Sequence, residues 1–512
     1  MSAAPNTRSS VPVTRCESRP CSGAASDANL EAPVKAGFGR ASLKGCFAEE
    51  AEYHDDLEAR VVYLEQGDRR VVLIAFDLVQ PSRFMSREVR EGVARKVGLS
   101  PEVIITHATH THTSPFDPAF RKLGLEPLVE RAAAGVREAM GRSRECTIAF
   151  AQADVHGRFS VNRRKEIAGV GTFSVFYGYD VKGRRADGAQ VVRSQIEGLL
   201  GGPARADEAP GRLWFDRKVD GLVQLISIQS PEGEAVGSLL RFAVHPVVSG
   251  HVSAHLWKYG ADIPGFARRA IEEEMDGACI YLSGPHGNIA PLEEVEWRRD
   301  EAGKLVHVLP GNPWAEAERL GRGIASAALA RRRDLVYAPL DRLELATAAV
   351  SLPLRQTLRP TPEKWKPKAE ELQRELETAR ARGAPLAELK RIADLRSHYG
   401  YHRAFFDEYF YLTQEEVARR QVACDLAVIR LNDVILVGLP GEAFMETGDA
   451  IRDQFPGARL VTLTEVNGDI GYLPPAEEFP GGAYEVNCSI IAPDAEEKLR
   501  EAAAELVARV LG

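Results

Sequence analysis

Three histidines follow a short apolar run, and this stretch constrains the chain more than any other. His107, His110 and His112 lie in the sequence THATHTHTSP, directly after the apolar residues 103–105. The apolar run predicts a buried strand, and the Ser-Pro pair predicts its end. On such a strand His110 and His112 point to one face, about 7 Å apart at ~3.3 Å per residue, whereas His107 points to the other. The pattern favours a metal ligand with a neighbouring acid or base, and a purely structural half-buried strand is the alternative.

A second histidine ends a buried strand farther along the chain. The apolar residues 236–242 lead into the motif AVHP, which makes His245 the second candidate ligand. Asp77, at the end of another apolar run, is either a hydrogen-bond partner of a ligand histidine or a loop cap. Glu442 lies between an apolar run and a predicted helix, where capping alone could explain it. A catalytic zinc site needs about three protein ligands and an open position.

A glycine-rich loop follows the predicted strand 279–282. It reads SGPHGNIAP over residues 283–291, and its backbone N–H groups are suited to contact a ligand oxygen. The loop has neither the GK[ST] ending of a phosphate-binding loop nor a GxGxxG pattern, so nucleotide binding is unsupported.

The composition bounds the class of protein. The 512 residues carry a net charge of −8 from mixed signs, which argues against a nucleic-acid groove. Seven cysteines, an odd number without CxxC spacing, are typical of individual thiols in a reducing compartment. Residues 1–32 contain no apolar core of a secretory signal and are expected to be a disordered lead. The chain has no run of ~20 apolar residues, so no membrane span is predicted. We therefore expect a cytoplasmic protein.

Strands and helices alternate along most of the chain, which predicts an α/β fold with mixed β-sheets and flanking helices over residues 33–512. Residues 361–421 differ because they are charged and rich in Glu, Lys, Arg and Leu around a central Gly-Ala-Pro. This segment is predicted to be an inserted helical hairpin on the main body. The aromatic residues of its second arm either seat the hairpin on the core or form an apolar wall over a substrate cleft, and we favour seating.

Five short motifs occur in the order and approximate spacing found in neutral/alkaline (non-lysosomal) ceramidases. They are THTH at 109–112, AVHP at 243–246, ADIPG at 261–265, LPGE at 439–442 and the segment 467–472. The chain resembles this family over nearly its whole length from about Gly37. The resemblance implies a zinc-dependent α/β catalytic domain that hydrolyses the amide bond between a fatty acyl group and a sphingoid base.

By position in these motifs, the resemblance also implies a set of site residues. The four implied zinc ligands are His110, His245, Glu442 and Tyr472. His112 matches a histidine beside the metal, and Arg163 matches a substrate-side arginine.

Two aspartates and the glycine-rich loop complete the expected site. Asp77 and Asp262 are candidate hydrogen-bond partners of the ligand imidazoles. The family's Gly-Asp-Val-Ser-Pro loop appears here as Gly287, Asn288, an isoleucine, Ala290 and a proline, so alanine replaces the family's serine. The N–H groups of this loop are expected to face the substrate.

The expected mechanism is amide hydrolysis by a metal-bound hydroxide. Zn²⁺ lowers the pKa of a bound water and polarises the scissile carbonyl, and His112 stabilises the oxyanion or protonates the leaving amine. The expected partner is a small-molecule N-acyl amine or ceramide-like substrate, with neither nucleic acid nor a membrane span. Two alternatives remain open, namely an ester, lactone or non-lipid amide hydrolase on the same site, and a non-catalytic metal-binding relative.

Overall fold

The structure is a computed structural model that describes residues 32–47, 52–115, 124–175, 179–180, 189–202, 217–250, 258–292, 294–299, 305–308, 312–408 and 411–512. The predicted N-terminal lead lies outside these residues, apart from Ala32 at its end.

Helices and strands alternate along most of the described chain. The helices are α1 (Arg83–Val97), α2 (Glu126–Gly141), α3 (Ala189–Leu200), α4 (Asp262–Met275), α5 (Pro313–Leu329), α6 (Pro362–Ala381), α7 (Leu386–Gly400), α8 (Gln414–Arg419), α9 (Met445–Asp453), α10 (Tyr484–Asn487) and α11 (Ala495–Leu511). The strands are β1 (Lys35–Ser42), β2 (Glu58–Gln66), β3 (Arg69–Phe76), β4 (Ile104–Ala108), β5 (Arg144–Glu145), β6 (Thr147–Asp154), β7 (Ser160–Asn162), β8 (Arg164–Ile167), β9 (Gly171–Ser174), β10 (Tyr179–Asp180), β11 (Leu222–Gln229), β12 (Ala235–Phe242), β13 (Ala278–Ser283), β14 (Ile289–Pro291), β15 (Glu294–Arg299), β16 (Leu305–Val308), β17 (Ala338–Pro339), β18 (Leu343–Pro353), β19 (Gln421–Leu431), β20 (Val434–Gly438), β21 (Glu442–Ala443), β22 (Arg459–Leu463) and β23 (Tyr472–Leu473).

Three mixed sheets form the body of the protein. Their strand orders are β4-β3-β2-β1-β5, β13-β12-β11-β6-β17 and β18-β19-β20-β22. Each sheet contains one parallel pair, namely β3 with β4, β12 with β13, and β20 with β22, whereas the other neighbours are antiparallel. This architecture confirms the predicted α/β fold with mixed sheets and flanking helices.

The three sheets share one core between them. Leu73, Ile226 and Leu436, one from each sheet, belong to the same buried cluster. Successive residues of a strand point to opposite faces, so the adjacent Leu225 and Ile435 pack outward against helices. Helices α1 and α2 cover the first sheet, α4 and α5 the second, and α11 the third.

Local sequence signals fix where these helices begin and end. Helix α1 begins after Ser82, whose hydroxyl accepts a hydrogen bond from the N–H of Met85, and ends at Gly98 with a φ of 74°. Helix α5 begins after Asn312, which accepts from the N–H of Trp314, with proline in the first turn. Asn312 therefore caps this helix.

The segment predicted as an inserted hairpin contains helices α6 and α7, joined through Gly383 with a φ of 68°. Leu372 and Leu376 of one helix and Leu389 and Ile392 of the other bury their apolar faces together. A π-helical turn at 404–408 and helix α8 then lead back to β19. Within the described ranges, no helix is long and apolar enough to cross a membrane.

Candidate metal centre

The carboxyl ends of the parallel strands bring three of the predicted ligands together. His110 follows β4 by two residues, His245 follows β12 by three, and Glu442 opens β21 shortly after β20. All three side chains are buried. The parallel strands of each sheet have their carboxyl ends at the same edge of that sheet. Because the three sheets share one core, these three edges lie close together.

The three donor atoms form a small triangle. The Nε2 atoms of His110 and His245 are 3.2 Å apart. Oε2 of Glu442 lies 3.6 Å from the Nε2 of His110 and 3.4 Å from that of His245. Tetrahedral zinc ligands with bonds of ~2.0–2.1 Å are about 3.3 Å from one another. The triangle therefore has the dimensions of one face of a tetrahedral zinc site.

The groups beside the two Nδ1 atoms orient the imidazoles so that their Nε2 atoms face this point. Nδ1 of His245 donates to the carbonyl oxygen of His286 at 3.2 Å. A carbonyl oxygen only accepts, so Nδ1 carries the proton and Nε2 presents its lone pair. Nδ1 of His110 points to Oε1 of Glu465 at 3.6 Å. The sequence analysis missed Glu465, although its place two residues after β22 was a signal like that of His110.

His286 also belongs to the cluster, although the sequence analysis assigned it no role. Its ring centroid lies 4.8 Å from that of His110 and 4.7 Å from that of His245. Together with Glu442, these three histidines each offer a ligand atom, and the four atoms all lie within 4.8 Å of one another. His286 follows β13 by three residues, as His245 follows β12, and this position was the available signal.

The electrostatics of the cluster suit a bound cation. Nδ1 of His110, both ring nitrogens of His286 and Oε2 of Glu442 have no hydrogen-bond partner among the described residues. Burial, reinforced by Asp469, raises the pKa of Glu442 well above its ordinary value. Burial lowers the pKa values of all three cluster histidines well below theirs. Neutral imidazoles and a buried carboxylate that share one focus are donors that zinc would stabilise, so these residues fit a metal ion.

The backbone at His110 corrects one expectation. Strand β4 ends at Ala108, and His110 has a φ of 64°. The prediction that His110 and His112 lie on this strand is therefore wrong. The chain leaves the sheet here because the N–H of His110 bonds to Leu78 at 3.0 Å and that of His112 to Pro246 at 3.1 Å. The turn brings the His110 and His112 ring centroids to 4.9 Å.

His107 points away from the centre, as predicted, and ties strands together. Its Nδ1 donates to the carbonyl oxygen of Thr464 at 3.0 Å, and its Nε2 accepts from the N–H of Ser283 at 3.0 Å. Burial lowers the pKa of His107 to about 4, so the ring is neutral at physiological pH. This histidine therefore stabilises the junction of the three sheets.

Tyr472 lies beside Glu442 because β21 and β23 pair in parallel with these two residues opposite each other. The Tyr472 hydroxyl accepts from Nη2 of Arg163 at 3.1 Å. Arg163 also donates to Glu485 and to the carbonyl oxygen of Gly287, both at 2.7 Å. The guanidinium thus holds the phenol in place, and the implied substrate-side role of Arg163 stays a prediction.

The glycine-rich loop packs against the strand that carries Glu442. The N–H of Gly287 donates to the carbonyl oxygen of Ala443 at 2.9 Å. The side chain of Asn288 bonds to the first turn of α9, and Ala290 belongs to β14, which pairs with β7. The Gly287 N–H is therefore committed to the protein, contrary to the expectation that it faces the substrate.

Asp77 and Asp262 each support a segment next to the centre. Asp77 accepts from Arg268 at 2.6 Å and from the hydroxyl of Thr109 at 3.3 Å. It therefore acts through the residue before His110, and the predicted direct bond to that imidazole is not observed. Asp262 accepts from the N–H of Ser249 at 2.7 Å, and its predicted role toward an imidazole stays a prediction.

A cavity of about 260 Å³ opens onto the centre. His112, half-buried, lines it together with His110, Glu442 and Tyr472. The hairpin segment contributes Tyr401, Ala404 and Phe405 to its wall. Phe405 also belongs to the core of the third sheet, so this arm both seats the insertion and walls the cavity.

The fold and the buried cluster define an α/β protein with a candidate metal centre at the meeting point of three sheets. Its fold is that of neutral ceramidases. The chain matches the crystal structure of neutral ceramidase from Pseudomonas aeruginosa with a TM-score of 0.61 and 17% sequence identity, over 94% of this chain and 75% of that one. It matches a structure described as ceramidase complexed with C2 with a TM-score of 0.59 and 15% identity, over the same shares. No protein-family model and no curated protein sequence matches the chain. The resemblance predicted from the five motifs is thus confirmed at the level of the fold.

Proposed function

We propose that this chain is a zinc-dependent hydrolase that cleaves the amide bond of an N-acyl amine or ceramide-like substrate. The observation that carries the proposal is the triangle of donor atoms from His110, His245 and Glu442, with edges of 3.2, 3.4 and 3.6 Å, inside a ceramidase fold. These three residues would hold the metal. Bound there, zinc would supply a nucleophilic water at neutral pH and polarise the scissile carbonyl.

The residues around the donors would orient the reacting groups. His112 lines the cavity with its ring centroid 4.9 Å from that of His110, which places an imidazole beside the candidate metal ligands. From there it would donate a hydrogen bond to the developing oxyanion or a proton to the leaving amine nitrogen. Arg163 holds Tyr472 through a hydrogen bond, and Tyr472 pairs with Glu442 across β21 and β23, so both would help to hold Glu442 in position.

The size of the cavity favours a second candidate, a hydrolase of compact non-lipid amides or esters on the same site. The cavity of about 260 Å³ is smaller than the ~300–1,000 Å³ of sites that hold drug-sized ligands. A ceramide would leave most of both hydrocarbon chains outside the cavity. Ala290, which stands where the family's loop has serine, also separates this chain from ceramidases.

Elemental analysis and an N-acyl substrate panel test the proposal together. We expect about one zinc per chain and hydrolysis of fluorogenic N-acyl amines, both lost in His110→Ala while the fold persists. Activity that peaks at short acyl groups would favour the second candidate, whereas activity on long-chain ceramide would favour the first. A purified chain that binds no zinc after reconstitution would refute both.

A further inference from the structure

His286 is buried in a way that no hydrogen bond explains. Its side chain is 0% exposed, and neither ring nitrogen has a partner among the described residues. A buried polar group without a hydrogen-bond partner destabilises the fold, so an apolar side chain would be more favourable here. An imidazole at this place needs a partner that the protein itself does not provide.

The position of the ring identifies that partner. The ring centroids of His110, His245 and His286 form a nearly equilateral triangle with sides of 4.7, 4.7 and 4.8 Å. A ligand nitrogen of His286 lies within 4.8 Å of both Nε2 donors and of the Glu442 carboxylate. Three imidazoles that surround one point, with a carboxylate beside them, form a cage for a metal that favours nitrogen ligands.

Tyr472, the fourth ligand that the family resemblance implies, is in a different situation. Its hydroxyl accepts from Nη2 of Arg163 at 3.1 Å, and the residue pairs with Glu442 across β21 and β23. The phenol oxygen therefore already has a hydrogen-bond partner within the protein. Of these two candidates for the fourth metal ligand, His286 has ring nitrogens without a hydrogen-bond partner. The hydroxyl of Tyr472 already has a partner within the protein.

We propose that His286 is the fourth protein donor of the metal centre, and that Tyr472 is a positioning residue for Glu442. The proposal rests on the metal centre of the proposed function and deepens it. It gives the site three imidazoles and one carboxylate. The loop that has lost the family's serine at Ala290 thus contributes a ligand four residues earlier.

X-ray absorption spectroscopy of the zinc-loaded wild-type chain counts the imidazoles directly. We expect three in the wild type and two in His286→Ala. Chelator competition should show zinc affinity at least ~100-fold weaker in His286→Ala, beyond the ~10–100-fold typical of losing an outer partner of a ligand. His286→Asn, which keeps a polar side chain in the loop, should show the same loss if the alanine variant proves poorly folded.

Two matched variants separate the possible outcomes. His112→Ala removes an imidazole from the same cluster and should leave zinc affinity within about threefold, because His112 is not a ligand in this proposal. Tyr472→Phe should weaken affinity by ~10–100-fold, the range typical of losing an outer partner of a ligand. Two imidazoles in the wild type, or unchanged affinity in a folded His286 variant, would overturn the inference. If the His286 inference fails but His110→Ala loses zinc, the proposed function still stands. If His110→Ala also keeps its zinc, the inference and the proposed function both fail.

Discussion

A single methyl group at residue 287 should disable the centre without unfolding the protein. A Cβ built on Gly287 would lie 2.4 Å from the carbonyl oxygen of Glu442, whereas ordinary contacts begin at about 3.4 Å. It would also lie 3.1 Å from the carbonyl oxygen of Ala443. Both obstacles are backbone atoms of the strand that carries the ligand. Gly287→Ala therefore requires the strand and the loop to separate by about 1 Å.

The size of the effect follows from the tolerance of metal sites. Ligand distances in such sites hold within ±0.2 Å, so a shift of about 1 Å takes Glu442 out of bonding range. A misplacement of this size costs on the order of 100-fold in turnover. Overpacking also costs about 1–3 kcal/mol of folding free energy, which a chain of this size should tolerate. We therefore expect a folded Gly287→Ala variant with weakened zinc binding and about 100-fold lower turnover.

The assay compares zinc affinity, turnover and thermal unfolding with those of a matched control. Gly141→Ala serves as that control, because a Cβ at Gly141 meets nothing within 4 Å at the end of α2. Its zinc affinity and turnover should equal those of the wild type. Wild-type zinc affinity in a folded Gly287→Ala variant would show that this close approach does not position Glu442.

Three further predictions concern individual side chains. His112→Ala should keep its zinc and lose about 100-fold in turnover, as measured by elemental analysis and steady-state kinetics, and wild-type turnover would remove its assigned role. His107 has its pKa lowered to about 4 by burial, so the unfolded chain binds its proton first as the pH falls below ~6.5, and stability drops from there toward pH 4. Between pH 7 and pH 5 the wild type should lose about 2 kcal/mol of folding stability that His107→Gln does not lose, measured from the urea midpoints of the two proteins. The same pH dependence in both proteins would contradict this prediction. Asp77→Ala leaves the buried guanidinium of Arg268 with one carboxylate fewer and should cost about 3 kcal/mol of folding stability, seen as earlier thermal unfolding; an unchanged transition would show that the ion pair contributes nothing.

The sequence was sufficient to place candidate ligands at strand ends. His110 and His245 each follow an apolar run, and such a run predicts a buried strand from local pattern alone. The carboxyl ends of parallel strands are where α/β folds build their sites, which makes this position informative. The motif that contains Glu442 added a carboxylate at a third strand end, and the fold brings all three together.

The sequence was insufficient wherever contact depends on how the sheets pack. His286 and Glu465 have the same local setting as the predicted ligands, but nothing in either segment shows that its sheet edge meets the others. A strand pattern determines which face is buried, not which other sheet covers it. The hairpin illustrates the same limit, because its composition predicted helices but not that Phe405 would contribute to both a core and the cavity wall.

Backbone strain concentrates at the centre, and this bears on how the site is held. His110, Glu465 and Asn467 have φ values of 64°, 56° and 58°, which lie in the left-handed region that residues other than glycine rarely adopt. Such conformations cost on the order of 1–3 kcal/mol each and persist only where the surroundings enforce them. Here the backbone N–H groups of Ala108, His110 and Asn467 all donate across sheet edges, to Glu465, Leu78 and Thr106. Because these bonds and the shared core lie within the protein, the sheets themselves hold the donor residues in place.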